Sequence, residues 1–374
     1  MQVSVLQEHL AKGLDTIARA VANRPSIPIL GNVLIATENG RLKLSATNLE
    51  LAITARLGAQ VDIEGATTVP ARLLTDFVKS LPAQQIDIRL EGNKLKLHCN
   101  GSSCELPTTR ASDFPNIPEA PSGSGVEVPA DTLHTLIEQV VFSAAKEDNR
   151  PVLMGVLTRF EGTRATMIAA DGYRMAMRVA MLERPAEKAL TLLIPATTLN
   201  EIGRIIRGQD GTVHLSVMDG RNQVIFHYNN IDVVSQLIEG KFPDVEQLIP
   251  KVAATSTRFD LPNFLAACKR AEIFARDANG TTRFKISNTG EVIVTAHATA
   301  GGSGSERVSA EVTGNNIEIA FNVRYIIEVL SVLGTERAIL ETNNTNAPGV
   351  VRPLMDDGTV DPNFVYLVMP MSVR

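Results

Sequence analysis

Three segments of one design recur at nearly constant spacing, and this repeat limits what the chain can fold into. "VPARLLTDFVKSL" begins at Val69, "IPATTLNEIGRII" at Ile194 and "FNVRYIIEVLSVL" at Phe321, steps of 194 − 69 = 125 and 321 − 194 = 127 residues. Each opens on an extended residue, sets Pro or Asn where a helix starts, and continues with apolar residues at helical spacing. These are Leu74, Phe77, Val78 and Leu81 in the first copy, and Ile326, Val329, Leu330 and Leu333 in the third. Proline suits a first turn because its missing N–H would have no helical partner there. Another helix precedes each segment: one marked by Leu6, Leu10, Leu14, Ile17 and Val21, then Pro129–Ala144, then Leu261–Arg276. Between the helices, alternating runs such as Arg41–Leu57 and Glu291–Ala300, separated by Gly and Asn turns, read as antiparallel strands.

The expectation is an α+β protein of three tandem domains of one fold, at 1–122, 125–253 and 255–374. The small polar stretches Ala120–Gly125 and Lys251–Thr257 would be its linkers. A repeat of this length is a domain, since stacked solenoid units run to only ~20–50 residues. With 44% apolar and 21% charged residues the chain is globular in composition. Tryptophan is absent, so the cores must rest on aliphatic residues and a few Phe.

A net charge of −5 excludes bulk attraction to polyanions but not a local basic surface. Five of the six expected helices carry cations off their apolar faces: Lys12 and Arg19, Arg72 and Lys79, Arg204 and Arg207, Lys269, Arg270 and Arg276, and Arg324. The helix at Pro129–Ala144 instead carries Asp131 and Glu138, and acids such as Asp15, Glu201 and Glu328 interrupt the others. Any one such face reads as ordinary solvated helix; their recurrence fits diffuse, sequence-independent contact with phosphates.

Chemical motifs are sparse. "GGSGS" (Gly301–Ser305) lacks the Lys-Ser/Thr of a phosphate loop and reads as a hairpin tip. His98, Cys99 and Cys104 lack a fourth ligand, and adjacent strand residues face opposite ways. The three cysteines are sparse, as a reducing compartment requires, and no cofactor is expected. The start "MQVSVLQEHL" has no secretory pattern and no apolar run reaches the ~18 residues of a membrane helix, so a cytoplasmic location without membrane contact is expected. "MIAADGYRMAM" (Met167–Met177) packs Asp171, Gly172, Tyr173 and Arg174 together and raises an enzyme as one alternative. Its repeat counterpart is "SATNLELAI" (Ser45–Ile53) with Asn48 opposite Asp171, which favours a turn over an acid catalyst. A monomeric peptide-binding scaffold is a further alternative.

From end to end the chain resembles the bacterial β sliding clamps, the processivity subunit of DNA polymerase III. The resemblance lies in "NRPSIPILGNVLI" (Asn23–Ile35), "TTVPARLLTDFVKSLP" (Thr67–Pro82), "ASDFPNIP" (Ala111–Pro118), "AADGYRMAM", "EGKFPDVEQLIPK" (Glu239–Lys251), "FNVRYIIEVL" and "YLVMPM" (Tyr366–Met371). It implies the DNA-clamp fold, two chains closing head to tail into a ring with helices inside and antiparallel sheets outside, and a non-enzymatic role on duplex DNA. It also implies partners that dock through short peptides: the replicative polymerase α subunit, the clamp loader, other polymerases and repair proteins. For DNA it points to Arg24, with Arg72, Arg150, Arg204 and Lys269. For the peptide pocket it points to Leu153, Ala170, Gly172, Tyr173, Arg174, Met175, Pro243, Gln247, Leu248, Tyr325, Leu367, Val368, Met369, Pro370 and Met371. Tyr173, Arg174 and Met175 would form one wall, closed by "VMPM", and Met-rich surfaces adapt to several ligands. Tyr173 stands where the family usually has His, and Gln247 where it often has Arg. Past Met371, Arg374 is expected to meet acidic peptide residues. At the dimer seam Cys104 stands where an aromatic can stand, facing Ile273 and Phe274.

Overall fold

The computed structural model describes residues 1–22, 24–119, 125–147, 150–218 and 220–372. The stretch Ala120–Ser124 of the first expected linker, and Arg374, lie outside the described residues. Among the described residues the helices are α1 (Gln7–Ile17), α2 (Ala71–Ser80), α3 (Ala130–Val140), α4 (Ala196–Ile206), α5 (Leu261–Ala275) and α6 (Val323–Leu330).

Their apolar periods match the sequence reading, with corrections at the ends. Leu6 closes strand Gln2–Leu6 opposite Gln85 and is 51% exposed; the ladder takes it, and α1 buries Leu10, Leu14 and Ile17 instead. Val21 and Arg19 fall outside α1, Arg19 within a 3-10 turn, Ala18–Ala20. Pro70 and Pro195 end strands Ala66–Pro70 and Leu190–Pro195, and each helix begins one residue later. α3 stops at Val140 and a 3-10 turn, Val141–Ser143, follows. The Asp260 carboxylate accepts from Asn263 N at 3.0 Å and the Asn322 side chain from Arg324 N at 3.1 Å, satisfying N–H groups that α5 and α6 would otherwise leave bare.

Two four-strand patterns each occur three times. The first pattern runs Gln2–Leu6, Gln85–Glu91, Lys94–Cys99, Ser102–Pro107. It recurs as Val126–Pro129, Thr212–Met218, Gln223–Tyr228, Ile231–Gln236, and again as Thr255–Asp260, Arg337–Thr342, Gly349–Leu354, Phe364–Val368. The second pattern runs Leu51–Gly58, Arg41–Thr47, Asn32–Glu38, Ala66–Pro70. Its repeats are Arg174–Met181, Arg164–Ala170, Gly155–Glu161, Leu190–Pro195, and Ser303–Gly314, Glu291–His297, Thr281–Ser287, Ile317–Asn322.

The patterns join antiparallel, end strand to end strand. Ile231–Gln236 pairs with Leu51–Gly58, Asp232 opposite Thr54, making an eight-stranded sheet. Phe364–Val368 pairs with Arg174–Met181, Val365 opposite Met177, within a twelve-stranded sheet. One strand of each kind is left over. Ser102–Pro107 is the edge of a five-stranded sheet. In Ser303–Gly314, residues 310–314 pair with Thr255–Phe259, while 303–309 pair only with the hairpin partner Glu291–His297. Gly301 and Gly302 of "GGSGS" lie in the tip of that hairpin, at φ +90° and +114°, whereas Ser303–Ser305 already belong to its second strand.

The chain groups into two compact units, residues 1–133 with 201–237, and 134–200 with 238–374. The first contains the five- and eight-stranded sheets, α1 and α2; the second contains the twelve-stranded sheet, α5 and α6. In the second, phenylalanines take the place tryptophan leaves vacant. Phe259 and Phe264 stack at 4.0 Å between centroids, with Phe284 and Phe321 continuing the row. Each such buried side chain contributes roughly 1.5–3 kcal/mol relative to exposure.

Candidate peptide-docking site and basic surface

The Asp171 turn is made by its carboxylate. Oδ1 accepts from Tyr173 N at 2.9 Å and Arg174 N at 3.0 Å, and Gly172 takes φ +93°. Asn48 makes the same turn in its own copy, accepting from Glu50 N and Leu51 N. This turn ends the hairpin so that Tyr173 projects outward, 65% exposed, while its carbonyl accepts from Met369 N at 2.8 Å. Tyr173 and "VMPM" are therefore neighbours through a backbone bond, and Met371 N is anchored on Ala320 O at 2.8 Å.

Beneath them lies an apolar floor of Leu153, Ala170, Met175 and Leu367, joined by Ile168, Leu193, Phe242 and Val245, which the sequence reading did not single out. The last two come from "KFPDV", whose Phe and Val, three positions apart on either side of a proline, were the available signal. Of the other residues expected in the pocket, Gly172, Pro243, Gln247, Leu248 and Met369 are exposed, and Pro370, Met371 and Tyr325 half-buried. Exposed thioether, phenol and amide groups beside a buried apolar cluster have the chemistry that suits apolar side chains of a peptide. Val368, also expected in the pocket, is fully buried in a different core cluster, with Phe264, Phe321 and Tyr366, because successive strand residues face opposite ways.

Two residues expected in the wall are not there. Met175 is floor, and Arg174 is only 5% exposed. Its Nε donates to Asp171 Oδ2 at 3.0 Å, its Nη1 pairs with Glu328, and its Nη2 donates to Phe142 O at 2.8 Å. The guanidinium also lies 4.2 Å from the Tyr325 ring centroid and 5.6 Å from that of Phe142. Burial alone would lower its pKa, but Tyr366, Glu328 and Asp171 hold it above the ordinary arginine value. The Tyr366 hydroxyl donates to Tyr325 O and is pushed upward by burial, so neither it nor Arg174 exchanges protons near neutrality. The acid, phenol and guanidinium of "MIAADGYRMAM" thus form a turn, an exposed ring and a buried brace. No group of three or more His, Cys, Asp or Glu among the described residues could hold a metal.

The DNA candidates separate. Arg24 and Lys269 are exposed. Arg72 is almost fully exposed, with Asp76 3.7 Å away. Arg204 donates to Glu201 at 2.8 Å and to Thr16 O at 3.2 Å, and with Lys12 and Arg207 lines a cavity of about 690 Å³ in the first unit. Arg150 is different: its Nη1 stands 3.9 Å from where a Cβ on Gly172 would lie, so it borders the docking site instead. Several helix cations already meet acids: Lys79 with Asp15, Arg270 with Glu306 and Arg324 with Glu272. Such exposed pairs are weak and open readily to a phosphate. At the expected seam, Ile273 is 60% exposed, and Phe274 covers Gly304 so closely that a Cβ there would come within 2.6 Å of the ring. Cys104 is half-buried on the free edge strand, its thiol pKa raised by burial.

Sequence models of the DNA polymerase III beta subunit match in order: the N-terminal domain over residues 1–118, the central domain over 127–244 and the C-terminal domain over 246–372. The chain belongs to the family of bacterial beta sliding clamps. It is 32% identical to the beta sliding clamp of Pseudomonas aeruginosa and 30% identical to that of Escherichia coli K12, with all of both chains covered in each case. The solved Pseudomonas aeruginosa sliding clamp bound to griselimycin superimposes with a TM-score of 0.92 at 31% identity over the whole of both chains. As a beta clamp the chain carries three tandem clamp domains, and it is an accessory processivity subunit of the replicative polymerase, not a catalyst. DNA and polymerase are the partners that clamp membership implies. No described helix is long and apolar enough to cross a membrane.

Proposed function

We propose that two copies close head to tail into a ring around duplex DNA, with domains at 1–122, 125–253 and 255–374, and that partners dock on the Tyr173 groove. The observation that carries the ring is the pair of leftover strands. Inside the chain, the last strand of the first pattern is joined to the leading strand of the second in two of the three copies, Ile231–Gln236 to Leu51–Gly58 and Phe364–Val368 to Arg174–Met181, while the corresponding Ser102–Pro107 is a sheet edge. Among the leading strands of the second pattern, Ser303–Gly314 lacks such a partner along residues 303–309. Open edges of this kind invite pairing with another chain. Ser103 holds the place of Asp232 in its hairpin, and Ser305 that of Thr54, so the repeat sets Ser103 opposite the partner subunit's Ser305. Cys104 then faces the partner's Gly304, the residue that lies under Phe274 in each copy.

Retention by a ring is topological, so contacts from Arg24, Arg72, Arg204 and Lys269 need only be weak, salt-sensitive and blind to sequence. The groove takes short apolar peptides from the polymerase α subunit, the clamp loader and other polymerases and repair proteins, in the cytoplasm. Arg150 and Tyr173 flank it. Loading the chain on circular DNA and then linearising it is the test: release on linearisation is expected, and equal retention on both topologies overturns the ring. A Met369→Ala, Met371→Ala chain should lose a polymerase-tail peptide while its dimer mass is unchanged; persistent binding removes the groove assignment.

A further inference from the structure

The first unit holds a second cradle of the kind that forms the Tyr173 groove. Asn48 makes the turn that Asp171 makes, and Gln236 N donates to Glu50 O at 2.9 Å as Met369 N donates to Tyr173 O. Phe114-Pro115 crosses the sheet face as Phe242-Pro243 does, each Phe buried. Under this first crossing lies a cavity of about 610 Å³, within the size range of ligand pockets.

Its chemistry has diverged. Where the second cradle has a cluster of eight buried apolar residues, the first has, among the described residues, a cluster of Ala52, Ile225 and Val234, with Ile117 and Met218 against it and Phe114 buried in the crossing. Beside Leu34, Phe114, Pro115 and Pro118, the lining also carries polar and charged groups. Ser45 and Thr54 share a 2.9 Å hydrogen bond, and Arg56 bridges Glu38 and Asp232. Lys43 Nζ sits 2.6 Å from Glu38 and 3.2 Å from Glu119. Among the described residues, Lys43, Arg56 and Arg221 stand against the carboxylates Glu38 and Asp232, and a third carboxylate, Glu119, pairs with Lys43. That carboxylate reaches in from the crossing segment with its side chain 66% exposed, while Lys43 is 19% exposed. The chain therefore displays a carboxylate on a peptide strand already seated at Lys43, held by one exposed ion pair of the weak kind.

We propose that this cavity is a second docking site, which takes an acidic peptide segment of a partner protein by exchanging its carboxylate for Glu119 on Lys43, the preceding apolar residue resting on Ile117 and Met218. The inference rests on reading the Tyr173 groove as a peptide site, because the shared cradle is part of the argument. The two can be tested apart. The probe is the peptide Asn-Ile-Pro-Glu, the sequence of residues 116–119, dye-labelled at its N-terminus, amidated at its C-terminus and titrated by fluorescence anisotropy into the full-length protein.

Removing the resident carboxylate with Glu119→Gln should tighten binding by about ten-fold or more, and changing the probe's Glu to Gln should undo the gain, as expected for one charge-assisted bond. Lys43→Gln in the Glu119→Gln background should cost the same factor, and Lys43→Arg, which keeps the charge, should restore it. Equal affinity of the Glu and Gln probes, or of wild type and Glu119→Gln, overturns the proposal. So does equal competition by acetate, which would make the site one for small carboxylates. The Met369→Ala, Met371→Ala chain must bind the probe unchanged; loss there would put the probe in the Tyr173 groove and overturn the second site. Failure of a polymerase-tail peptide at that groove, with the probe still bound, removes only the first reading.

Discussion

The guanidinium of Arg174 donates to Asp171, Glu328 and the Phe142 carbonyl and lies between two aromatic rings, so its removal strands two carboxylates and a carbonyl. Arg174→Met should cost about 3 kcal/mol in chemical denaturation, the low end for a broken buried pair because Glu328 keeps water on one side. Tyr173→Ala, at an exposed ring, should cost under about 0.5 kcal/mol of stability yet weaken peptide binding. A charged residue inside "DGYRM" reads from sequence as exposed; nothing local reveals that Glu328 and Phe142, more than a hundred and about thirty positions away, will close over it. Glu38 carries a pH consequence. Burial raises its pKa, but Lys43 and Arg56 outweigh this and hold it below the ordinary 4.5. A depressed carboxylate adds stability at pH above its unfolded pKa, and this is lost as pH falls through the lower folded value. Thermal unfolding followed downward from pH 5 should therefore fall more steeply for wild type than for Glu38→Gln.

At the scale of elements, one turn appears with two residues at its strained position. Leu49 has φ +79° where the second copy has Gly172 at +93°. A bulky side chain in the left-handed region costs roughly 1 kcal/mol. Leu49→Gly should accordingly be neutral to stabilising, and Gly172→Leu destabilising by about 1 kcal/mol or more, by denaturant midpoint. The helix α6 offers a second check: Asn322→Ala removes its cap and should cost about 1 kcal/mol. These turns and helices were legible because their signals are local: an Asx side chain two residues before an N–H, apolar steps of three and four. Strand partnership was not. Nothing in "RLKLSATNLELAITARL" says that its second half will pair with Ile231–Gln236, and Arg150, three residues before Leu153, gave no sign that it would border Gly172.

At the scale of the whole molecule, the repeat that was visible as a period of about 125 residues becomes a rule for assembly. Applied to the strands left over, it predicts a covalent product. A chain with Ser103→Cys and Ser305→Cys, and Cys104→Ser to remove the native thiol, should oxidise to a closed dimer of twice the chain mass, since directly opposed antiparallel residues have Cβ atoms ~4.5–5.5 Å apart. Monomer after oxidation, read by mass under denaturing conditions, would count against the register. The basic surface should make loading on DNA fall steeply with salt, and neutralising Lys12 and Arg204 together should flatten that slope.

The strand Ser303–Gly314 changes partners halfway, and this has a consequence in time as well as in space. Its residues 310–314 ladder with Thr255–Phe259, whereas 303–309 ladder with Glu291–His297 and leave their other side open. In an open molecule the amides of the second stretch that face outward would swap protons with solvent freely, as would those along Ser102–Pro107. Once the seam forms they would slow together. Deuterium uptake on these two short peptides would thus be a clock for the opening of the proposed ring.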